Sequence, residues 1–386
     1  MAGSQATGAD VLTRRERWLG WVGGSLFTLC LGSLAVVLVG GLLQASFGSY
    51  SMTLAQTWRA VFNPDVIFNW YVWEAFLFGA ELPEMGHDSL IVWHMRLPRV
   101  FVGILVGMNL AVSGAIFQAV TRNELASPFI LGVSSGAGLM ILLTLVVLPS
   151  VTIVVPFLVG TFVFNTSQLL PVLAALGGAA AFLVVYAIAW KNGTSPVRLV
   201  LAGVIVSTVF GSLQTAMFFF AEDIGIVQSA ISWTTGSLTG TDWKEVRMIL
   251  PWTVLSMGLA LVSSRQLNVL LLGESTASSL GMNVEKVRFA LSGVAVLAAA
   301  ASIAAAGIVG FVGLIVPHMV RNIVGSDYRK LVIGCLFVGP ALMVAADVGA
   351  RLALSPVQIP VGIVTGLIGG PYFLYLMRTQ DRMGEI

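Results

Sequence analysis

Charge is what this sequence has least of. Only 10% of its 386 residues are Asp, Glu, Lys or Arg, where a soluble domain carries about 25%. Twenty basic and eighteen acidic residues cannot cover the surface of a soluble enzyme of this length. A net charge of +2 and the scatter of the basic residues leave no footprint for nucleic acid. Cysteine is nearly absent, and Cys30 and Cys335 each sit inside an apolar run, so neither a disulfide framework nor a thiolate metal site is expected. The three histidines, His87, His94 and His318, are dispersed and form no metal-ligand spacing. A Gly-Lys-Ser/Thr phosphate loop is missing too, so nucleotide is not hydrolysed by that route and any ATP dependence must come from a partner.

What the chain does have is apolar residues, 57% of the total, and 42 glycines. That composition points to an all-α polytopic membrane protein. Because a charge in hydrocarbon is costly, the gaps between charges mark the spans. The long gaps are 18–58, 100–121, 125–190, 199–221, 248–264, 289–320, 331–346 and 352–377. A span needs about 20 residues, so the gap 125–190 holds two, separated by the region of Pro149, Pro156 and Pro171. The gap 289–320 holds one full helix and a short return helix, broken around Gly307, Gly310, Gly313 and Pro317. About ten transmembrane helices result, with both termini on the same side.

Charge bias orients them. With the N-terminus inside, fourteen of the twenty basic residues face the cytoplasm, in agreement with the positive-inside rule. The six outside are Arg59, Arg96, Arg99, Lys244, Arg247 and Arg351. Residues 1–17 form a cytoplasmic tail and 18–386 the membrane domain. The apolar run from Trp18 to about Ala45 is longer than the apolar core of a secretory signal and reads as a retained first helix. The external segment, 45–95, carries Trp58, Trp70, Tyr71, Trp73 and Trp93 among acidic residues and reads as an interfacial amphipathic element with aromatic anchors.

Small residues recur at four-residue spacing in Gly103 and Gly107, Gly132 and Gly136, Gly203 with Ser207 and Gly211, and Gly366 and Gly370. In lipid such faces let helix backbones approach closely. Gly114-Ala115-Ile116 through Arg122-Asn123 also matches Gly313-Leu314-Ile315 through Arg321-Asn322 at an offset of 199, a faint internal repeat of the kind transporter folds contain.

Few residues offer chemistry. Asp347 and Arg351 come closest to membrane-depth ionisable groups and read as an i,i+4 pair at the interface. The cytoplasmic segment Leu267 to Lys286 is too polar to span. Within it Ser275 to Leu280 form a short helix, flanked by Gly273 and Gly281, that offers small and apolar side chains to another protein.

These residues resemble a known family. Arg96-Leu-Pro-Arg99, Gly114 to Gln118, Arg122-Asn-Glu-Leu-Ala-Ser-Pro128 and Leu131-Gly-Val-Ser-Ser-Gly136 are similar to the permeases of iron-siderophore, haem and vitamin B12 ABC importers. So are Leu201-Ala-Gly203, Leu272-Gly-Glu274 with Leu280-Gly281, Gly310 to His318, Ala346-Asp347 with Arg351, and Pro360 to Gly366. The blocks run in family order from about residue 90 to the C-terminus. The resemblance implies the type II ABC importer permease fold, with ten transmembrane helices per subunit. It also implies a dimer of permeases, two ATPase subunits that use the ATP, and an extracytoplasmic binding protein. It makes 267–286 the coupling loop, centred on Gly273, Glu274, Ala277, Leu280 and Gly281, and gives Arg96, Arg99 and Arg351 the docking of carboxylates on the binding protein. Thr194 and Ser195 are gate candidates, in a turn that departs from the family's pattern; Glu124 stands where the family usually has proline. The expected cargo is a metal chelate, most of all a ferric siderophore, with cobalamin or haem as alternatives; no cofactor is expected in this chain. An ion-coupled secondary transporter is the rival class, opposed by the scarcity of membrane carboxylates.

Overall fold

The computed structural model describes residues 14–47, 52–147, 152–157, 160–191, 193–221, 224–354 and 357–381. Most of the expected N-terminal tail, and Pro149, lie outside the described residues.

The first span, α1 (Arg14–Ser46), bends at Gly23 and leads into an external segment. There α2 (Leu54–Val61), α3 (Pro64–Ile67), α4 (Trp70–Phe78) and α5 (His87–Leu90) follow. The segment is a folded cap. Trp93 donates its indole N–H to the Ala60 carbonyl at 2.8 Å, Trp243 donates to the Trp93 carbonyl at 2.8 Å, and Phe76 stacks on Trp243 at 4.5 Å. Trp58, Trp70 and Tyr71 are exposed, as anchors would be, but Trp73 and Trp93 are pins inside the cap.

From α5 the helix continues through a widened π-helical turn, Ile91–Arg96, into α6 (Leu97–Thr121). α6 is the core of the bundle, with 21 of its 25 residues buried. After a short 3-10 turn at Pro128–Leu131 comes α7 (Val133–Val147). Strands β1 (Thr152–Phe157) and β2 (Gly160–Asn165) then form an antiparallel pair with Thr152 opposite Asn165 and Phe157 opposite Gly160. α8 (Thr166–Ala189) follows. The gap 125–190 thus holds two helices as expected, but a strand pair separates them and Pro171 lies within α8.

The remaining elements are α9 (Pro196–Phe218), α10 (Ile224–Thr235), α11 (Trp243–Val262), α12 (Ser264–Leu271), α13 (Glu274–Ser279), α14 (Val284–Ala306), α15 (Val312–Val324), α16 (Tyr328–Leu352) and α17 (Val361–Asp381). Polar caps set several starts. Asp242 and Glu245 form a capping box on α11, Asn283 accepts from the Lys286 N–H on α14, and Asp327 from the Arg329 N–H on α16. Among the described residues seven helices are long and apolar enough to cross a membrane, and three further apolar helices, 133–147, 312–324 and 361–375, are shorter.

Close backbone contact organises the core. α6 packs against α14, α15 and α16. A Cβ on Gly107 would lie 2.5 Å from the Gly339 carbonyl, and one on Gly114 would overlap the Gly313 backbone. Gly136 likewise fits against α8, whereas Gly211 on α9 and Gly366 and Gly370 on α17 face open space. Between α14 and α15 the chain unwinds at 307–311, with Gly307 and Phe311 both at positive φ. Its backbone is stitched to two other connections. The Ile308 N–H donates to the Trp233 carbonyl at 2.9 Å, that of Ser237 to Ala306 at 2.8 Å, and that of Gly362 to Gly236 at 3.1 Å. Backbone away from water must be paired in this way.

Candidate functional site

Two polar clusters lie at opposite ends of the bundle. The one at the end expected to be cytoplasmic is built on Arg288, in the second turn of α14 and only 1% exposed. Its Nη2 donates to Glu274 Oε1 at 2.6 Å, at the first residue of α13. Its Nη1 donates to the Thr194 carbonyl at 2.6 Å and reaches Thr194 Oγ1 and Glu285 Oε1 at 3.2 Å. Glu285 closes the ring by accepting the Thr194 N–H at 2.9 Å and hydroxyl at 2.8 Å. One guanidinium therefore holds the short cytoplasmic helix and the turn before α9 together.

α13 displays the expected surface. Ala277 is buried beneath it, while Leu280 is 65% exposed and Leu272 is exposed beside it. Gly273 (φ 103°) and Gly281 (φ 82°) bracket the helix in a backbone region open to glycine, which turns the chain sharply at both ends. The helix runs from Glu274 to Ser279, one residue ahead of the expected span. Thr194 enters the Arg288 ring, whereas Ser195 caps α9, its Oγ accepting the Arg198 N–H at 3.2 Å.

The outer cluster forms where the π-helical turn brings Arg96 and Arg99 against α1 and α16. Arg99 binds Asp347 through two bonds, Nε to Oδ2 at 3.0 Å and Nη2 to Oδ1 at 2.7 Å, and reaches Gln358 Oε1 at 2.8 Å. Gln44 also donates to Asp347. Arg96 donates to the carbonyls of Ala45 and Ser46, and Arg351 to those of Gln44 and Phe47. Asp347 is fully buried rather than interfacial, and it does pair at i,i+4 with Arg351, whose Nε stands 3.6 Å from its Oδ2. Its principal partner is Arg99, 248 residues away in sequence. Arg96 and Arg99 are themselves buried, at 6% and 5% exposure, and turned into the protein, and Arg351 is the least buried of the three.

Glu124, the departure from the family pattern, lies 3.3 Å from Arg321 and 3.8 Å from His318, tying the turn after α6 to α15. Sequence reasoning did not single out Arg288 or Glu285. The available signal was an i,i+3 acid–base pair entering an apolar run. Gln44 and Gln358 gave none.

A bundle with, among the described residues, seven helices long and apolar enough to cross a membrane defines a multi-pass membrane protein. The FecCD transport family model matches residues 36–379, and the chain belongs to that family. It is 42% identical to the Fe(3+)-citrate import system permease protein YfmD of Bacillus subtilis (strain 168) over 75% of this chain and 82% of that one. It is 41% identical to the cobalamin import system permease protein BtuC of Halobacterium salinarum over 78% of this chain and 76% of that one. A chain of an ABC transporter assigned to the metal-chelate type, in an inward-facing conformation, superposes with a TM-score of 0.74 at 25% identity, covering 91% of this chain and 99% of that one. As a member of that family the protein is a multi-pass permease subunit of an ABC importer in the cytoplasmic membrane.

Proposed function

We propose that this permease imports a ferric chelate by alternating access, with α13 seated in the ATPase subunit and Arg288 carrying its motion to the turn before α9. The observation that carries this reading is the single buried guanidinium bonded to both Glu274 and Thr194. A displacement of α13 cannot leave that turn in place without breaking charge-assisted bonds in a desolvated site, so the two segments move together. Exposed Leu272 and Leu280 supply the apolar contact with the ATPase groove.

On the outer face the arginine cluster draws carboxylates of the binding protein, with Arg351 at its rim the first to meet them. A second copy of the chain packs on the small-residue faces of α9 and α17, where a Cβ added to Gly211, Gly366 or Gly370 would meet no described atom within 4 Å. The iron-citrate relative supports a ferric chelate as cargo, and cobalamin is the alternative because its permease is nearly as similar.

The test is substrate-stimulated ATP hydrolysis by the reconstituted complex with a panel of chelates. Stimulation by ferric chelates, abolished by Leu280→Asp, is expected. Stimulation by cobalamin alone overturns the cargo, and transport that ignores ATP overturns the mechanism.

A further inference from the structure

Beyond the transport path, α8 and α11 both pack on α14 but stand apart from each other. The result is a groove of about 440 Å³ whose floor is Gly293, Leu297 and Ala301 and whose walls include Leu176, Trp252 and Phe289. It runs from Ala304 to Phe289, about 22 Å at 1.5 Å per residue. That is most of the roughly 30 Å hydrocarbon thickness. Every lining side chain is apolar or aromatic. At Ala304 the groove meets a second pocket of about 180 Å³ whose character is opposite. Ser232, Ser237, Thr239 and Thr241 line it, and its one ionisable side chain is the carboxylate of Glu245. The pocket also borders the unwound backbone at Gly307.

An apolar trough joined to a hydroxyl-rich head pocket has the shape of an amphiphile, and its walls belong to membrane-spanning helices. We propose that this is a binding site for an outer-leaflet phospholipid with an amine-bearing headgroup. One acyl chain lies along α14, and the headgroup ammonium is held by Glu245 and the hydroxyls. The occupant is a lipid rather than a protein helix because the site changes from apolar to polar along its length at the outer end of α14, as the membrane does. An amine is preferred because two neighbouring carboxylates, Glu245 in the pocket, with one oxygen accepting the Asp242 N–H at 2.7 Å, and that of Asp242 beside it, favour a cation and repel a purely anionic headgroup.

The experiment uses the full-length permease in vesicles containing a phosphatidylethanolamine probe with a diazirine on one acyl chain, or the matching phosphatidylglycerol probe, followed by mass-spectrometric mapping of the labels. The phosphatidylethanolamine probe is expected to label Met248, Trp252 and Phe289 at least fivefold above Val254, which is exposed on α11 outside the groove. Gly293→Phe, at a position where a new side chain meets open space, should cut the groove labelling at least fivefold and leave Val254 unchanged. Even labelling of all exposed positions, equal labelling by both probes, or insensitivity to Gly293→Phe would overturn the assignment. So would ready disulfide formation between two copies of a Leu297→Cys variant, which would put a second chain in the groove. The wild-type map decides the question even if the variant does not fold.

Discussion

Gly114 of α6 and Gly313 of α15 meet backbone to backbone in the centre of the bundle, so closely that a methyl group on Gly114 would overlap the Gly313 carbonyl, while one on Gly313 would press on the Leu110 carbonyl of α6 at 2.8 Å. They are also the first residues of the two segments that match at an offset of 199. The sequence likeness and the point of closest approach coincide.

Gly114→Ala should therefore destabilise the permease although alanine is the better helix former. Overpacking costs about 1–3 kcal/mol. At Gly258 of α11, where a Cβ meets nothing within 4 Å, the same change should stabilise by up to about 1 kcal/mol. Thermal unfolding of the two variants in one detergent checks the opposite signs, and a shift in the same direction for both would refute the packing argument.

Arg288→Lys keeps the charge but cannot reach Glu274 and Thr194 at once with a single ammonium. Basal ATP hydrolysis by the assembled complex is expected to persist while substrate stimulation falls at least tenfold. Thr194→Val should show a milder version of the same split. Wild-type stimulation in Arg288→Lys would mean that α13 and the turn before α9 communicate by another route.

For the short cytoplasmic helix, Gly281→Ala places a side chain at φ 82°, a strain of about 1–2 kcal/mol. The permease should still fold, because no core residue moves, but co-purification with the ATPase partner should weaken severalfold. Leu280→Asp should have a larger effect through lost apolar contact. Undiminished co-purification of both variants would show that α13 is not the seat.

At the outer end, Asp347→Asn leaves Arg99 without its carboxylate, and Arg99→Ala leaves Asp347 as an unpaired buried charge. Breaking a buried pair from either side costs about 3–5 kcal/mol. Both variants should lose thermal stability, and the double variant should recover part of it. Arg351→Gln touches that pair less directly and should instead weaken docking of the loaded binding protein in a salt-dependent binding assay; an affinity equal to wild type would remove Arg351 from the docking surface.

The helices were legible because hydrocarbon forbids charge, so the gaps between charges trace the spans. The short helix at Glu274 was legible because two glycines bracket a polar run between apolar ones. The i,i+4 pairing of Asp347 with Arg351 was legible, but the burial of Asp347 and its bidentate partner Arg99, brought in by packing of α6 on α16, were not, because sequence offers only near neighbours. The strand pair β1–β2 carried a signal, Thr152-Ile-Val-Val and Thr161-Phe-Val-Phe with Gly160 ahead of the second run. β-branched and aromatic residues in that pattern favour strands, but an uncharged stretch of this length reads first as membrane span.

The stitching of the backbone at Trp233–Ser237, Ala306–Ile308 and Gly362 has a mechanical consequence. Three breaks that in isolation would each be a hinge are bonded into one knot. The ends of α10, α14 and α17 that meet there are therefore bonded to one another through their backbones, and none can hinge without breaking a hydrogen bond to a neighbouring connection.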